Sequence, residues 1–200
     1  MRNLRKGLAH LRRDPVMAAQ IDKFGVINYR VPKDRFENLV STIIGQQLSN
    51  KAADTIYGRV SKVLSGNISP QNILSTSDLA LRTAGTSWAK IASLKDLSLK
   101  ILNKSVQIDK LDQMSDEKVI SHLTSVKGIG IWTAHMKLMF TLHRPDIMPV
   151  DDRGIQNAMI KLYKLTDNRQ LTTNMQKIAE SWRPFRTLAC WYLWKSLDNL

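Results

Sequence analysis

An all-α fold is predicted for this chain of 200 residues, and three features of the sequence predict it. Apolar residues recur at helical spacing along most of the chain. Capping residues followed by proline or by acidic residues mark repeated helix starts. No segment alternates apolar and polar residues convincingly over the length of a strand. These patterns predict about ten helical segments.

The helices can be followed in order from their start signals. Asp14-Pro15 opens an early helix, and Ser49 is a plausible cap for a later one. Between them the segment KDRFENLVSTIIGQQ places five apolar residues on one face: Phe36, Leu39, Val40, Ile43 and Ile44. Further helix starts are predicted at Ser69-Pro70, Ser77-Asp78 and Ser115-Asp116-Glu117, and residues 166–172 are predicted to form a loop.

Charge and composition favour a folded protein that binds a polyanion. The chain has 30 Lys and Arg against 17 Asp and Glu, a net charge of +13, and the excess is spread along its length. Such an imbalance costs self-repulsion unless a polyanion neutralises it, which favours nucleic acid over a merely solvated surface. With 43% hydrophobic residues the chain can bury a core, as one domain or as two lobes sharing helices.

A single cysteine and the lack of a long apolar stretch favour an intracellular protein. The single cysteine, Cys190, excludes an intrachain disulfide and lies in an apolar aromatic run typical of a core. The basic N-terminus lacks the apolar region of a signal peptide, and no stretch approaches the roughly 20 apolar residues of a membrane span. We therefore expect no membrane partner. The expected compartment is the nucleus in a eukaryote and the cytoplasm or nucleoid in a prokaryote.

A short glycine motif, VKGIG, joins two helical patterns. Helical spacing stops before Gly128 and resumes after Gly130 through Trp132 and Met136. Glycines permit backbone angles closed to other residues and let another molecule approach the amides. These amides lead into a helix N-terminus, which favours an anion such as a nucleic-acid phosphate. Taken alone, the motif fits an ordinary αα-hairpin equally well.

The residues around this motif resemble a known family. LTSVKGIGIWTAHM is similar to the helix-hairpin-helix of the DNA glycosylase superfamily, and RPDIMPVDDRGI is similar to the loop and aspartate that follow it. The segments IIGQQLSNKAADTI, LRTAGTSWAKIASLKDLS and SWRPFRTLACWYLW resemble the alkylpurine branch, the 3-methyladenine DNA glycosylases. The resemblance implies a two-lobed helical domain. One lobe would span about residues 31–142, with the hairpin at 116–141, and the other residues 1–30 and 143–200.

The resemblance also implies an activity, hydrolysis of the N-glycosidic bond of alkylated purines in duplex DNA. It assigns the catalytic carboxylate to Asp152 and leaves Asp151 as a helix N-cap, whereas chemistry alone makes the two nearly equal candidates. A carboxylate beneath the deoxyribose stabilises an oxocarbenium-like transition state and can orient water. Alkylated purines already carry positive charge and leave readily, so one carboxylate can suffice. Arg153 could keep that carboxylate ionised.

Two further expectations concern reaction type and ions. Some relatives form a Schiff base through a lysine at the position of Trp132, so we expect a monofunctional enzyme without lyase activity. His10, His122, His135 and His143 show no ligand spacing, and no cofactor is expected for the chemistry. The resemblance implies a structural sodium or potassium ion at the main-chain carbonyls of Thr124, Val126 and Ile129. The expected phosphate-binding residues are Lys127, Gly128, Gly130 and Thr133.

The target base must leave the duplex to meet the catalytic carboxylate. The resemblance assigns the residue that fills the gap to Gln47, with Leu48 as the alternative. Capping and interhelical hydrogen bonding would also explain a glutamine pair. The base pocket is assigned to Trp132, Trp182 and Phe185, because aromatic faces stack on flat cationic purines. Trp191 and Trp194 are expected in the core.

Two interpretations from other classes stay open: a catalytically silent helix-hairpin-helix protein that senses damaged duplex, and a basic RNA-binding structural protein. An acid after the hairpin distinguishes the enzyme from both, and Asp152 is present. Trp88 and His135 depart from the family pattern, so the preferred base is left open among 3-methyladenine, 7-methylguanine, ethenoadenine and hypoxanthine. A monomer acting on damaged double-stranded DNA is expected.

Overall fold

Twelve α-helices and one 3-10 helix make up the computed structural model, which describes residues 4–27 and 35–197. No strand occurs in these two ranges, and the all-α prediction is confirmed. Within the same ranges, every helix is too short or too polar to span a bilayer. The helices are α1 (Leu4–Leu11), α2 (Pro15–Phe24), α3 (Arg35–Gly45), α4 (Asn50–Val63), α5 (Pro70–Ser75), α6 (Asp78–Thr83), α7 (Trp88–Leu102), the 3-10 helix (Ile108–Gln113), α8 (Asp116–Thr124), α9 (Ile131–Phe140), α10 (Arg153–Tyr163), α11 (Leu171–Glu180) and α12 (Arg186–Leu197).

The predicted start signals form helix caps. The Asp14 carboxylate accepts hydrogen bonds from the main-chain N–H groups of Val16 (2.8 Å) and Met17 (3.2 Å). Serine hydroxyls cap further helices in the same way: Ser49, Ser69, Ser77 and Ser115, as predicted, and also Ser87 at the start of α7. Such caps satisfy N–H groups that the first turn of a helix leaves without intrahelical partners. The loop predicted at residues 166–172 lies two residues earlier, at 164–170, because α10 ends at Tyr163 and α11 begins at Leu171.

The chain divides into two units. The central unit is Val31–Lys137, and the terminal unit combines Met1–Arg30 with Leu138–Leu200. The predicted lobes placed the second division after residue 142, whereas it falls inside α9. Packing explains the difference, since Phe140 stacks on Trp191 with ring centroids 6.2 Å apart and Met139 is fully buried. The last turn of α9 therefore belongs to the core of the terminal unit.

Each unit has its own apolar core. In the central unit α7 packs against α3, α5 and α6. In the terminal unit α12 packs against α2 and α10, and all its residues from Thr187 to Leu193 are buried. Cys190 is among them, as its aromatic surroundings predicted, and burial raises the pKa of its thiol. These two helices, α7 and α12, contact the candidate site residues of their units.

Candidate functional site

Helices α8 and α9 form a hairpin whose turn is residues 125–130. Gly128 has a φ of +78°, and a Cβ atom there would overlap the Ser93 hydroxyl and lie 3.2 Å from Ser93 Cβ. Gly130 is different, because its φ lies outside the left-handed region and an added Cβ would meet nothing within 4 Å. The fold therefore requires glycine at position 128. At position 130 the absent side chain leaves the backbone open to another molecule.

Side chains of α7 hold the backbone of this turn. Asp96 Oδ2 accepts hydrogen bonds from Lys127 N–H (2.7 Å) and from the Lys100 ammonium (2.8 Å). The Lys100 ammonium also donates to the Ser125 carbonyl. Partial burial opposes ionisation of Asp96, but the hydrogen bonds from Lys100 and Lys127 N–H hold its pKa below the ordinary value. The turn is thus fixed while Lys127 itself stays exposed.

The exposed end of the hairpin is the N-terminus of α9. A hydrogen bond of 3.1 Å from Ala134 N–H to the Gly130 carbonyl begins the helix, so the amides before Ala134 point out of its end. Gly130 and Ile131 are exposed there, in a chain of net charge +13. Such an end favours an anion. Thr133 as a whole residue is only 4% exposed, and its phosphate contact stays a prediction.

The carbonyls assigned to a monovalent ion lie in and next to the same turn. The Val126 carbonyl accepts the Ile129 N–H at 3.1 Å, and a carbonyl oxygen retains a second lone pair for a cation. The Val126 and Ile129 side chains are buried, and the Thr124 hydroxyl donates back to the Ile120 carbonyl (2.8 Å). Val126 and Ile129 carry no side-chain oxygen, so they could offer an ion only their main-chain carbonyls, and sodium and potassium accept such neutral oxygen ligands.

Predicted residues from separate segments line one cleft of the central unit. The cleft is open to solvent and has a volume of about 800 Å³. It brings together five of the residues assigned from the sequence: Gln47, Leu48, Gly128, Trp132 and Thr133. The other lining residues are Thr42, Gly45, Gln46, Ser87, Ala89, Lys90 and Ser93. Trp132 is 46% exposed, so it presents aromatic surface to solvent.

The loop after α3 carries the two residues predicted to enter the duplex. Gln47 is exposed and has a φ of +58°, which costs a residue other than glycine roughly 1–2 kcal/mol. The next residue, Leu48, is also exposed. Gln46 instead donates its side-chain amide to the Gly128 carbonyl at 3.0 Å. The interhelical hydrogen bond that could explain a glutamine pair is therefore made by Gln46, and Gln47 stays the predicted wedge.

Asp152 lies at the start of α10 in the terminal unit and is only 7% exposed. Its Oδ1 atom accepts hydrogen bonds from Ile155 N–H (2.8 Å) and from Trp194 Nε1–H (2.9 Å). Gly154 makes the second contact possible, because a Cβ there would lie 3.0 Å from Trp194 Cδ1 and 3.1 Å from Asp152 Oδ1. Two donors from different helical segments therefore fix the orientation of this carboxylate.

Two predictions about the neighbours of Asp152 are wrong. The N-cap of α10 is Asp152 itself and not Asp151, which is exposed on the preceding turn. The helix begins one residue later than expected, since the Asp152 carbonyl already accepts the Gln156 N–H (2.9 Å). Arg153 pairs with Asp167 at 2.8 Å, and this hydrogen bond raises the pKa of the guanidinium. Arg153 is thus engaged by Asp167 and does not serve as the expected partner of Asp152.

The other two aromatic residues assigned to the base pocket, Trp182 and Phe185, lie in the terminal unit and are less exposed than Trp132. Trp182 is fully buried, and its Nε1–H donates to Asp14 Oδ2 (3.0 Å), which also accepts from the Tyr163 hydroxyl (2.8 Å). Its indole is closed to solvent but borders a pocket of the terminal unit that His10, Asp14 and Tyr163 also line, and its assignment to a base pocket stays a prediction. Phe185 is half-buried and tilts against His10, with ring centroids 5.5 Å apart. Its assignment stays a prediction.

Trp194, which the sequence interpretation placed in the core, contacts the predicted catalytic residue Asp152. It is half-buried, donates to Asp152 and lies against Phe140, with ring centroids 5.6 Å apart. Trp191, one helical turn earlier, is buried as expected. One feature of the sequence indicated this contact. Gly154, two residues after the catalytic candidate, has no side chain and so leaves room for a large neighbour.

Comparison with known proteins identifies the family. Residues 40–184 match the HhH-GPD superfamily of base excision DNA repair proteins. The chain belongs to this superfamily. It is 37% identical over 170 residues to DNA-3-methyladenine glycosylase 1 of Schizosaccharomyces pombe, covering 82% of this chain and 73% of that protein.

Solved structures of similar proteins agree with the fold. A DNA-3-methyladenine glycosidase from Bacillus halodurans has a TM-score of 0.85 at 35% identity, covering 94% of this chain and 86% of that one. The Schizosaccharomyces pombe 3-methyladenine DNA glycosylase Mag1 in complex with abasic DNA has a TM-score of 0.84 at 32% identity, covering 96% and 97%. The predicted superfamily and its alkylpurine branch are confirmed.

The HhH-GPD match includes most of the candidate site. It begins in α3 and ends before α12, so it contains the loop at Gln47, the hairpin and Asp152. Trp194 lies outside it. Trp88, which departs from the family pattern, is more than half exposed at the start of α7, one residue after the cleft residue Ser87.

Proposed function

We propose that this HhH-GPD protein is a DNA glycosylase that releases alkylated purines of the 3-methyladenine type from duplex DNA by hydrolysis. The observation that carries the proposal is the Asp152 carboxylate, which lies within the superfamily match and is held by two N–H donors. The names of the similar proteins support the substrate class. The basic charge and the open N-terminal end of α9 support duplex DNA as the partner.

Asp152 would act on the sugar of the damaged nucleotide. Cleavage of the N-glycosidic bond leaves positive character on the deoxyribose, which a fixed carboxylate stabilises, and the same group can accept a proton from the attacking water. The leaving purine is already cationic, so it departs without a general acid. The hydrogen bond from Trp194 keeps the carboxylate oriented while the charge develops.

Trp132 would receive the extruded base. It is the half-exposed aromatic residue of the cleft that also contains Gln47 and Leu48. A cationic purine stacks well on an indole face through π overlap and cation–π attraction. Gln47 would enter the duplex and occupy the space that the base leaves.

The hairpin would bind the phosphate backbone through the Lys127 ammonium and the amides at the start of α9. A sodium or potassium ion at the carbonyls of Thr124, Val126 and Ile129 would add positive charge beside the same phosphate. The hydrolysis itself needs only the protein residues. We expect the protein to act as a monomer, in the nucleus of a eukaryote or in the cytoplasm or nucleoid of a prokaryote.

A lyase step is not expected. Trp132 cannot form a Schiff base with the sugar. The Lys137 side chain is 6% exposed, and its ammonium donates to the Asn38 carbonyl (3.1 Å) and the Thr42 hydroxyl (2.8 Å) of α3. Lys127 lies at the hairpin turn, where it would serve a phosphate.

The test uses duplexes that each carry one damaged base: 3-methyladenine, 7-methylguanine, ethenoadenine or hypoxanthine. Alkali after incubation reveals abasic sites as strand breaks. Asp152→Asn should abolish base release and keep duplex affinity, because it removes the charge needed at the sugar without touching phosphate contacts. The matched control Asp151→Asn changes an exposed carboxylate and should cost far less. Full activity in Asp152→Asn, or equal loss in both variants, contradicts the assignment. A wild-type protein that binds damaged duplex and releases no base is the silent binding protein instead.

A further inference from the structure

The wedge loop, residues 46–48, is held in a conformation that its own sequence does not favour. Gln47 has a left-handed φ of +58° although it is not glycine, and Gln47 and Leu48 are both exposed. A strained backbone at an exposed tip persists only where surrounding groups fix it. The question is which groups fix this loop.

Lys90 is one of them. It lies in the first turn of α7, and its ammonium donates to two carbonyls at the end of α3, those of Ile44 (2.8 Å) and Gln46 (2.8 Å). The last carbonyls of a helix lack intrahelical partners and lie at the negative end of its dipole. A cation suits this end better than a neutral donor. One ammonium therefore closes the end of α3 directly before the strained residue.

Gln46 is the second anchor. Its side-chain amide donates to the Gly128 carbonyl at 3.0 Å, within the hairpin turn. Gln46 thus accepts from Lys90 through its main chain and donates to the hairpin through its side chain. The wedge loop is fixed at once to α7 and to the element that would hold the phosphate.

We propose that Lys90 is a positioning residue for base extrusion, holding the wedge loop so that Gln47 enters the duplex at a fixed distance from the hairpin. This rests on the proposed glycosylase function. Lys90 lines the same cleft as Trp132, but its ammonium is engaged by the two carbonyls at the end of α3, and it is not among the residues proposed to contact the sugar or the phosphate. Its loss should therefore slow extrusion of a paired base and leave hydrolysis of an unpaired one largely intact.

The experiment compares two substrates under single-turnover conditions. One is a duplex with 7-methylguanine opposite cytosine, and the other has the same strand opposite an abasic-site analogue, where no base pair must be broken. Lys90→Met should lower the release rate from the paired substrate by about 10- to 100-fold and that from the unpaired substrate far less. Lys90→Arg, which can still donate to both carbonyls, should restore most of the loss.

The control is Lys95→Met, which removes the same charge from the same helix at a half-buried lysine paired with Asp78. It should leave unchanged the ratio of the release rate from the paired substrate to that from the unpaired substrate.

Gln46→Leu breaks the second anchor and should lower the same ratio. It provides an independent test if Lys90→Met unfolds. An equal loss on both substrates, or no rescue by arginine, overturns the positioning role.

A 2-aminopurine beside the lesion separates this inference from the proposed function, because its fluorescence rises on extrusion even when no bond is cleaved. Wild-type protein that gives the fluorescence rise without base release disproves the glycosylase, and Lys90→Met should still weaken that rise. Wild-type protein that releases base while Lys90→Met keeps both the rise and the rate ratio disproves the role of Lys90.

Discussion

Gly130→Asp should separate DNA binding from folding at the hairpin. An added Cβ at position 130 meets nothing within 4 Å, and the residue precedes the first residue of α9, where aspartate caps a helix better than glycine by a few tenths of a kcal/mol. The free energy of unfolding should therefore stay equal or rise slightly. The new carboxylate would occupy the helix end proposed for a phosphate.

The expected loss of affinity follows from electrostatics. Two like charges about 5 Å apart repel by about 1 kcal/mol in water and about 3 kcal/mol at an effective dielectric constant of 20, or about 5- to 150-fold in the dissociation constant. The loss should be the same for every DNA sequence. If one phosphate contact disappears, the slope of log affinity against log salt should fall by about 0.9. Fluorescence anisotropy of a labelled undamaged duplex at several salt concentrations measures both quantities.

Two variants control this experiment. Gly130→Asn has the same size and a similar capping ability without the charge, so it should retain more affinity than the aspartate variant. Gly128→Ala should instead destabilise the fold by about 1–3 kcal/mol, because it combines a left-handed φ of +78° with overlap on Ser93. Duplex affinity of Gly130→Asp equal to wild type would refute the phosphate site. A loss of helicity in that variant would show that Gly130 is structural.

Three further predictions concern single side chains. Trp194→Phe keeps an aromatic ring and removes the hydrogen bond to Asp152, so base release should slow by about 10- to 100-fold while duplex affinity stays unchanged. An unchanged release rate would show that Trp194 does not take part in the site. Burial lowers the pKa of Lys137 to about 7, so the folded state binds fewer protons than the unfolded state from about pH 7 to about pH 10, and the free energy of unfolding should rise in that window. The rise should be at most about 5 kcal/mol because the oxygens of α3 favour the charged form, and denaturant titrations of Lys137→Met should show no such rise. Borohydride during turnover should trap no covalent protein–DNA adduct, whereas an adduct lost in a Lys127 or Lys137 variant would show a lyase.

Helix starts and the hairpin were predictable because their causes are local. A serine or aspartate caps the helix that begins at the next residue, so Ser49 and Ser115 signal their helices from within a few positions. The Gly-x-Gly motif likewise marks a turn. Which glycine the fold requires was not predictable, because the clash at Gly128 comes from Ser93 on α7, distant in the sequence.

Residues of the site were predictable where a motif fixes their position. They were missed where burial decides which side chain faces the site. The family pattern assigned the catalytic role to Asp152. Its second role, as the N-cap of α10, depends on the exact residue at which the helix begins, which main-chain geometry decides. The hydrogen bond from Trp194 to Asp152 was missed for a similar reason. The seven consecutive residues of α12 from Thr187 to Leu193 are buried, so its apolar pattern does not show which aromatic residue faces Asp152.

The anchoring of the hairpin turn has a consequence for protein engineering. Its backbone is held by Asp96 and Lys100 of α7 and by Gln46 beyond α3, and Gly128 fits only because Ser93 lies where it does. A peptide of α8, the turn and α9 would lack all of these partners. The hairpin therefore cannot be transferred to another scaffold by itself. A graft that keeps its DNA affinity must include α3 and α7.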